Sequence, residues 1–301
     1  MTEETATVEA PRDRERELLR PFLPESCRKA QDALLGTVRE MEYGVLVVSD
    51  RGVAHSKLAW WGSELAMLME GQPRHPSTRA LHEAAPVERL DGGELTELVE
   101  GLRMCIEGRI YNDDDELLLH CWRRDGALSL CLARLGGADT EDDLHLARDT
   151  GLGRGLARVM TRFDEDRAGG RCWLPEERLQ QAGTDARSAL EQGLDRQTRK
   201  QLFAPMFDWA MARLGPALGR MPTSRHPEAL TAPALLAAGA RRGLLRARRR
   251  GFRKLEGRHE QGPGGGLLTL WRTAGRMRRA AAGRTRPGSA RDAQNQQENT
   301  E

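Results

Sequence analysis

Arg162 and Asp166 stand four residues apart in the run from Asp149 to Gly183, DTGLGRGLARVMTRFDEDRAGGRCWLPEERLQQAG. On a helix that spacing puts both side chains on one face. Such a pair can close on itself as an intrahelical ion pair, or it can offer a guanidinium to an anionic head group. Asp164 and Glu165 lie about 200° and 100° around the same helix from Asp166 and cannot join it. Other chemistries find less footing. The GLGRG run at 151–155 follows no strand, so it does not read as a phosphate loop. His75 sits in the turn Gly71-Gln72-Pro73-Arg74-His75-Pro76, and no HExxH or histidine pair supplies a metal site. Cys27, Cys105, Cys121, Cys131 and Cys172 form no CxxC pair and are expected as reduced thiols, Cys105 among them as a small core residue. The acidic run Asp113-Asp114-Asp115-Glu116 reads as the start of a helix, where carboxylates cap backbone N–H groups.

The elements that must hold these side chains read as helices almost throughout. Leu18–Leu23 ends at Pro24. A long helix is expected over Glu25–Val48, with Ala30, Leu34, Val38 and Met41 at helical spacing. Val53–Met69 follows, stopped by Gly71 and Pro73. Ser77 is the expected cap of a short helix. Gly93–Ile106, Asp114–Leu135 and Asp142–Asp166 come next. Pro175 opens another helix, Thr184–Leu214 gives one or two, and Ala232–Arg250 and Leu267–Ala282 are the last. No alternating strand pattern or internal repeat interrupts this series. The chain has 301 residues, of which 39% are hydrophobic and resting on Leu and Ala, enough for a real core.

Lys and Arg total 47, all but Lys29, Lys57, Lys200 and Lys254 being Arg, against 45 Asp and Glu. A net charge of +2 argues against a dedicated nucleic-acid binder. The polar, acidic first residues are not a signal peptide, and no apolar run is long enough to span a membrane. Scattered free thiols fit a cytoplasmic protein.

Several segments, in this order, resemble the squalene/phytoene synthase family. Leu23-Pro24 with Arg28 and Ala30, then ALLGTVREMEY from Ala33, resemble its L-P-x-x-x-R-x-A and A-L-Y-A-F-C-R-x-x-D-D-x-x-D. Lys57-Leu58-Ala59-Trp60-Trp61 with Glu64-Leu65, followed by the turn around His75, resemble K-L-A-W-W-x-x-E-L and G-x-P-x-H-P. HCWRRDG at His120–Gly126 resembles Y-C-Y-x-V-A-G. The Asp149–Gly183 run resembles the second aspartate-rich region, N-x-x-x-D-x-x-x-D followed by G-R-x-Y-L-P. The resemblance implies an all-α, single-domain, isoprenoid-synthase-like helical bundle around a central cavity. Its domain would span residues 15–258. Residues 1–14 would be a disordered tail, and 259–301 a Gly-rich spacer, a basic amphipathic helix and a second tail. It also implies two facing aspartate-rich helices that gather Mg²⁺ around prenyl diphosphates, so that two chains are joined head to head.

This chain departs from that pattern where the metal would sit. The first motif falls on Glu42-Tyr43-Gly44-Val45-Leu46, which keeps one carboxylate of three. In the second, Arg158 replaces Asn, Arg162 replaces the first Asp, and only Asp166 remains. Two unit charges 4 Å apart interact at roughly 4 kcal/mol for an effective dielectric near 20, so an arginine beside a divalent ion is expensive. The remnants Glu42 and Asp166 are therefore expected without metal. Arg39, Arg162 and Arg171 are the candidate diphosphate or anion contacts.

The expected role is that of a family-like protein without prenyl transferase activity, needing no cofactor and acting in isoprenoid or lipid binding or in assembly with a protein partner. The alternative is an active transferase condensing two prenyl diphosphates with Mg²⁺ at a nonstandard site. Trp60 and Trp61 would line a lipid cavity or pack as core. The basic stretches 240–254 and 271–279, with Leu244, Leu245, Phe252, Leu268 and Trp271 as an apolar side, read as a solvated face or as a peripheral contact with an anionic membrane surface.

Overall fold

A computed structural model describes residues 14–253 and 263–285. The expected tails lie almost wholly outside the described residues, whereas Pro263–Gly266, expected as a flexible spacer, form the first turn of the last helix. Within them the chain is helical and contains no strand. Short α1 (Arg14–Leu19) leads into α2 (Arg28–Leu46), α3 (Arg51–Met69), α4 (Pro76–Ala84) and α5 (Gly92–Glu107). Then come α6 (Asp114–Cys121), a π-helical turn over Trp122–Gly126, α7 (Ala127–Leu135), α8 (Glu141–Thr161) and α9 (Phe163–Ala168). The series ends with α10 (Glu176–Gln181), α11 (Ala186–Glu191), α12 (Arg196–Arg220), α13 (Thr231–Arg249) and α14 (Pro263–Thr285).

Local chemistry sets most of the starts. Asp50, Asp91, Asp113, Asp185 and Asp195 cap α3, α5, α6, α11 and α12 with their carboxylates, and Thr140 caps α8 with its hydroxyl. The cap of α4 is His75, whose ring nitrogen accepts the Ser77 N–H, and not Ser77 as the sequence suggested. Pro76 then fills the first helical position, where its missing N–H costs nothing.

Two long expected helices are divided. Asp114–Leu135 is split by the π turn, which bulges the backbone between α6 and α7. Asp142–Asp166 is broken at Arg162, whose backbone leaves the helical region (φ −108°, ψ 9°). Beyond the break α9 is turned so that Asp164 forms a two-pronged ion pair with Arg199 on α12.

α8 is the central strut. It packs along α12 and α13 and also meets α6, α7 and the π turn. One core cluster joins α6, α8, α12 and α13; a second joins α2, α3, α5 and α7, with Leu270 and Ala274 of α14 docked into it. Leu244 and Phe252, expected on an exposed apolar side, belong instead to the first core, where Phe252 meets Phe203 and Phe207 edge-on.

The GLGRG run is a packing device. A Cβ on Gly151 would stand 2.5 Å from the Asp125 carbonyl oxygen, and one on Gly155 would stand 2.6 Å from Cys121 Cβ. Bare backbone lets α8 approach both sides of the π turn. Gly151→Ala should therefore lower the urea-unfolding free energy by about 1–3 kcal/mol, since the clash is with main chain that cannot yield cheaply. Gly215→Ala, in α12 with nothing within 4 Å of the added carbon, should be neutral or stabilising in the same titration.

Candidate functional site

The π turn aims three successive side chains at four neighbours. Arg123 Nε donates to Glu97 at 2.8 Å. Arg124 Nη2 donates to Glu42 Oε1 at 2.5 Å. Asp125, wholly buried, pairs with Arg154 and, at 2.7 Å, with Arg158. Arg158 also stands 3.9 Å from Glu42, and Arg39 stands 3.8 Å from its other oxygen. Arg154 reaches outward to Glu15 of α1 at 2.9 Å. Two interior carboxylates are thus shared among three interior guanidiniums, with Arg158 touching both acids.

The electrostatics follow from that arrangement. Burial alone would raise the Glu42 carboxyl, but Arg124 and Arg158 outweigh it and hold its pKa down at about 2. Arg158 is itself held below the ordinary arginine value by burial and by the facing Arg124 charge. His120, on α6 four residues before Arg124, is kept well below the usual histidine range by burial and by Arg124 and Arg158. It stacks on Trp173 with centroids 4.6 Å apart, and Tyr111 Oη lies 2.9 Å from its Nδ1.

Asp166 lies across the helix break on α9, half-buried. Its carboxyl is raised by burial, in spite of the opposing pull of Arg162, Arg158 and Arg171. The expected Arg162–Asp166 pair does not form. Once the helix breaks at Arg162, that guanidinium meets Glu165 instead, at 2.9 Å. Arg171 folds back under α9, its N–H donating to the Asp166 carbonyl at 2.9 Å. Its guanidinium has no ion-pair partner among the described residues. The structure therefore brings Glu42 and Arg39 together on α2, and Asp166, Arg162 and Arg171 around the α8–α9 break. Arg158 faces both groups.

These residues do not fit a magnesium cluster. Glu42 spends its oxygens on guanidiniums, and Asp166 has cations, not carboxylates, for neighbours. Among the described residues no three acidic, histidine or cysteine side chains converge as a ligand set. The acidic run offers no replacement: Asp113 caps α6, Asp114 holds Arg178 at 2.5 Å, and Glu116 accepts the Asn112 N–H. Beside Glu42 and Arg124, a void lined by Val38, Met41, Leu98 and Leu102 holds about 180 Å³, none of it wide enough for a water molecule. Pockets for small molecules run about 300–1,000 Å³.

Sequence reasoning missed Arg124, Asp125 and Arg154. The signal was present, because Arg124 and Asp125 fall on the V and A of Y-C-Y-x-V-A-G, and two adjacent charges in an otherwise apolar motif need partners. The aromatic pair divides its roles: Trp61 is core and Trp60 is 47% exposed, with His75 packed against both. Glu64, two turns before the end of α3, accepts the N–H groups of Arg74 and His75 and the Thr78 hydroxyl, so it clamps the turn that follows its own helix.

A model of the family described as squalene/phytoene synthase matches residues 10–263. The chain is 30% identical over 129 residues to phytoene synthase 2 of Solanum lycopersicum, covering 41% of this chain and 42% of that protein. It is 27% identical over 137 residues to a phytoene synthase of an Oncidium hybrid cultivar, covering 44% and 33%. The chain thus spans less than half the length of these curated relatives. Among solved structures it resembles a dehydrosqualene synthase in complex with ligand (TM-score 0.75, 18% identity, 88% of this chain and 92% of that one). It also resembles the squalene synthase HpnC from Alicyclobacillus acidocaldarius (TM-score 0.68, 20% identity, 78% and 88%).

Glu42 gives a pH signature. Its folded pKa lies below the ordinary glutamate value of 4.5, so its contribution to stability is complete above that value and drains away as pH falls toward about 2. The shift corresponds to something on the order of 3 kcal/mol. Denaturant titrations at stepped pH should show this acid-limb loss in the native chain. The Glu42→Gln variant should be less stable at pH 7, with a correspondingly flatter acid limb.

Proposed function

The chain belongs to the squalene/phytoene synthase family, and on that premise we propose that it keeps the family's helical scaffold but has given up metal-dependent prenyl transfer. Its role is binding or assembly, with an isoprenoid or lipid as the ligand class. The observation that carries this reading is the Glu42–Arg124–Asp125–Arg158 cluster. Expelling diphosphate from an allylic substrate requires charge neutralisation on the leaving group, which hard divalent ions held by carboxylates supply. Freeing Glu42 for a metal would take from the largely buried Arg124 its carboxylate partner, and breaking a buried pair in this way costs about 3–5 kcal/mol. A metal near Asp166 would face Arg158, Arg162 and Arg171.

The same cations favour an anionic head group as ligand without a metal. Arg171, whose guanidinium has no ion-pair partner among the described residues, and Arg162 at the helix break are the side chains placed to meet it. Arg39, drawn toward Glu42, is less available. This supports retention of a prenyl diphosphate or lipid phosphate as a bound species.

Incubation of the purified protein with farnesyl or geranylgeranyl diphosphate and Mg²⁺ should give neither squalene nor phytoene. Thermal unfolding should still shift upward with the diphosphate in the absence of Mg²⁺, and Arg171→Gln should reduce that shift. Turnover that is lost in Asp166→Asn would overturn the proposal and establish an active transferase with a nonstandard site.

A further inference from the structure

One half of α14 carries a surface that the interior does not use. At 100° per residue, Leu267, Arg278, Trp271, Leu268, Arg279, Arg272 and Arg276 fall in that order across one side of the helix. The opposite side carries Leu270, Thr273, Ala274 and Met277, all buried. The first side is open to solvent: Trp271 is 61% exposed and Leu268 45%. Three large apolar side chains thus occupy one stripe, with Arg278 among them and Arg279, Arg272 and Arg276 along one flank. Arg272, Arg276 and Arg279 have no ion-pair partner among the described residues.

Charge is segregated to match. Residues 231–253 and 263–285, which hold α13 and α14, contain twelve arginines and not one Asp or Glu, in a chain with 45 acidic residues. α14 is also held rigidly. It packs on α13, Arg242 Nη1 reaches Thr269 Oγ1 at 3.4 Å, and its buried side enters both cores. The exposed stripe is therefore a preformed face and does not need to fold on contact. No helix among the described residues is long and apolar enough to cross a membrane.

We propose that this face docks the protein on an anionic lipid bilayer, with α14 lying in the plane of the head groups. Trp271, Leu267 and Leu268 enter the interfacial layer, and Arg278 among them, with Arg279, Arg272 and Arg276 beside them, meets lipid phosphates. Charge complementarity selects an anionic surface. The apolar residues in the middle of the stripe select a bilayer over a nucleic acid, because against a phosphate backbone they would stay wet. This inference holds whether or not the interior turns over a substrate.

The test is sedimentation of the full chain with vesicles of phosphatidylcholine alone or mixed with phosphatidylglycerol. The protein should bind the mixed vesicles at low salt. It should bind weakly to the neutral ones, and weakly to either at about 1 M salt, where screening acts within about 3 Å. The triple variant Arg272→Gln, Arg276→Gln, Arg279→Gln should bind on the order of a hundredfold more weakly, and the triple Arg→Lys variant should retain binding. Trp271→Ser should weaken binding about tenfold. All these side chains are exposed, so thermal unfolding should be unchanged and loss of binding cannot be ascribed to misfolding. Equal binding to neutral and anionic vesicles would overturn the proposal. So would an unaffected triple Gln variant, or arginine-dependent RNA binding that displaces the vesicles and ignores Trp271→Ser.

Discussion

The buried charge cluster between α2, the π turn and α8 constrains everything around it. Asp125 is wholly buried and Glu42 largely so, and each is tolerated there because guanidiniums pair with it. The three arginines that do this come from two elements, Arg124 from the π turn and Arg154 and Arg158 from successive turns of α8. The spacing between those elements and α2 must therefore hold to within hydrogen-bond tolerance. An error of an ångström would leave a charge stranded.

The backbone supplies that tolerance. Gly151 and Gly155 let α8 lie against the main chain of the π turn and α6, and the extra residue in the π turn swings Arg124 and Asp125 into different neighbours. An unbroken helix would turn consecutive side chains by a fixed 100° and could not follow the same path. The break at Arg162 has a related effect on the other side. It moves Asp166 off the axis of α8 and gives Arg162 to Glu165, so that Asp166 faces Arg162 and Arg171 while Arg158 acts on both it and Glu42.

Helix positions and the family fold were legible because apolar spacing, capping aspartates and the order of motifs survive in one dimension. The family followed from segments such as KLAWW and RCWLPEE, whose packing now has a visible reason: Glu64 clamps the turn after its helix, and Trp173 stacks on His120. What was not legible depended on partners distant in sequence. Arg124 finds Glu42 across 82 positions and Asp125 finds Arg154 across 29. No local spacing rule pairs them. The Arg162–Asp166 rule failed for the converse reason, since it assumes a continuous helix and the tertiary pull of Arg199 on Asp164 ends that continuity. Burial likewise moved Leu244 and Phe252 from a supposed surface to the core.

The mutual dependence of the interior charges also bears on how this lineage can change. Replacing one member alone, say Arg158→Asn, would leave Glu42 and Asp125 short of a counterion, and an apolar pair at Arg124 and Asp125 would take a buried partner from Arg154 and Arg158 of α8. Each single replacement leaves a buried charge less well paired, although a combined replacement need not. The cluster thus works as an evolutionary ratchet: with its charges interlocked, each member can change only together with its partners, and single substitutions are left to the outside of the bundle.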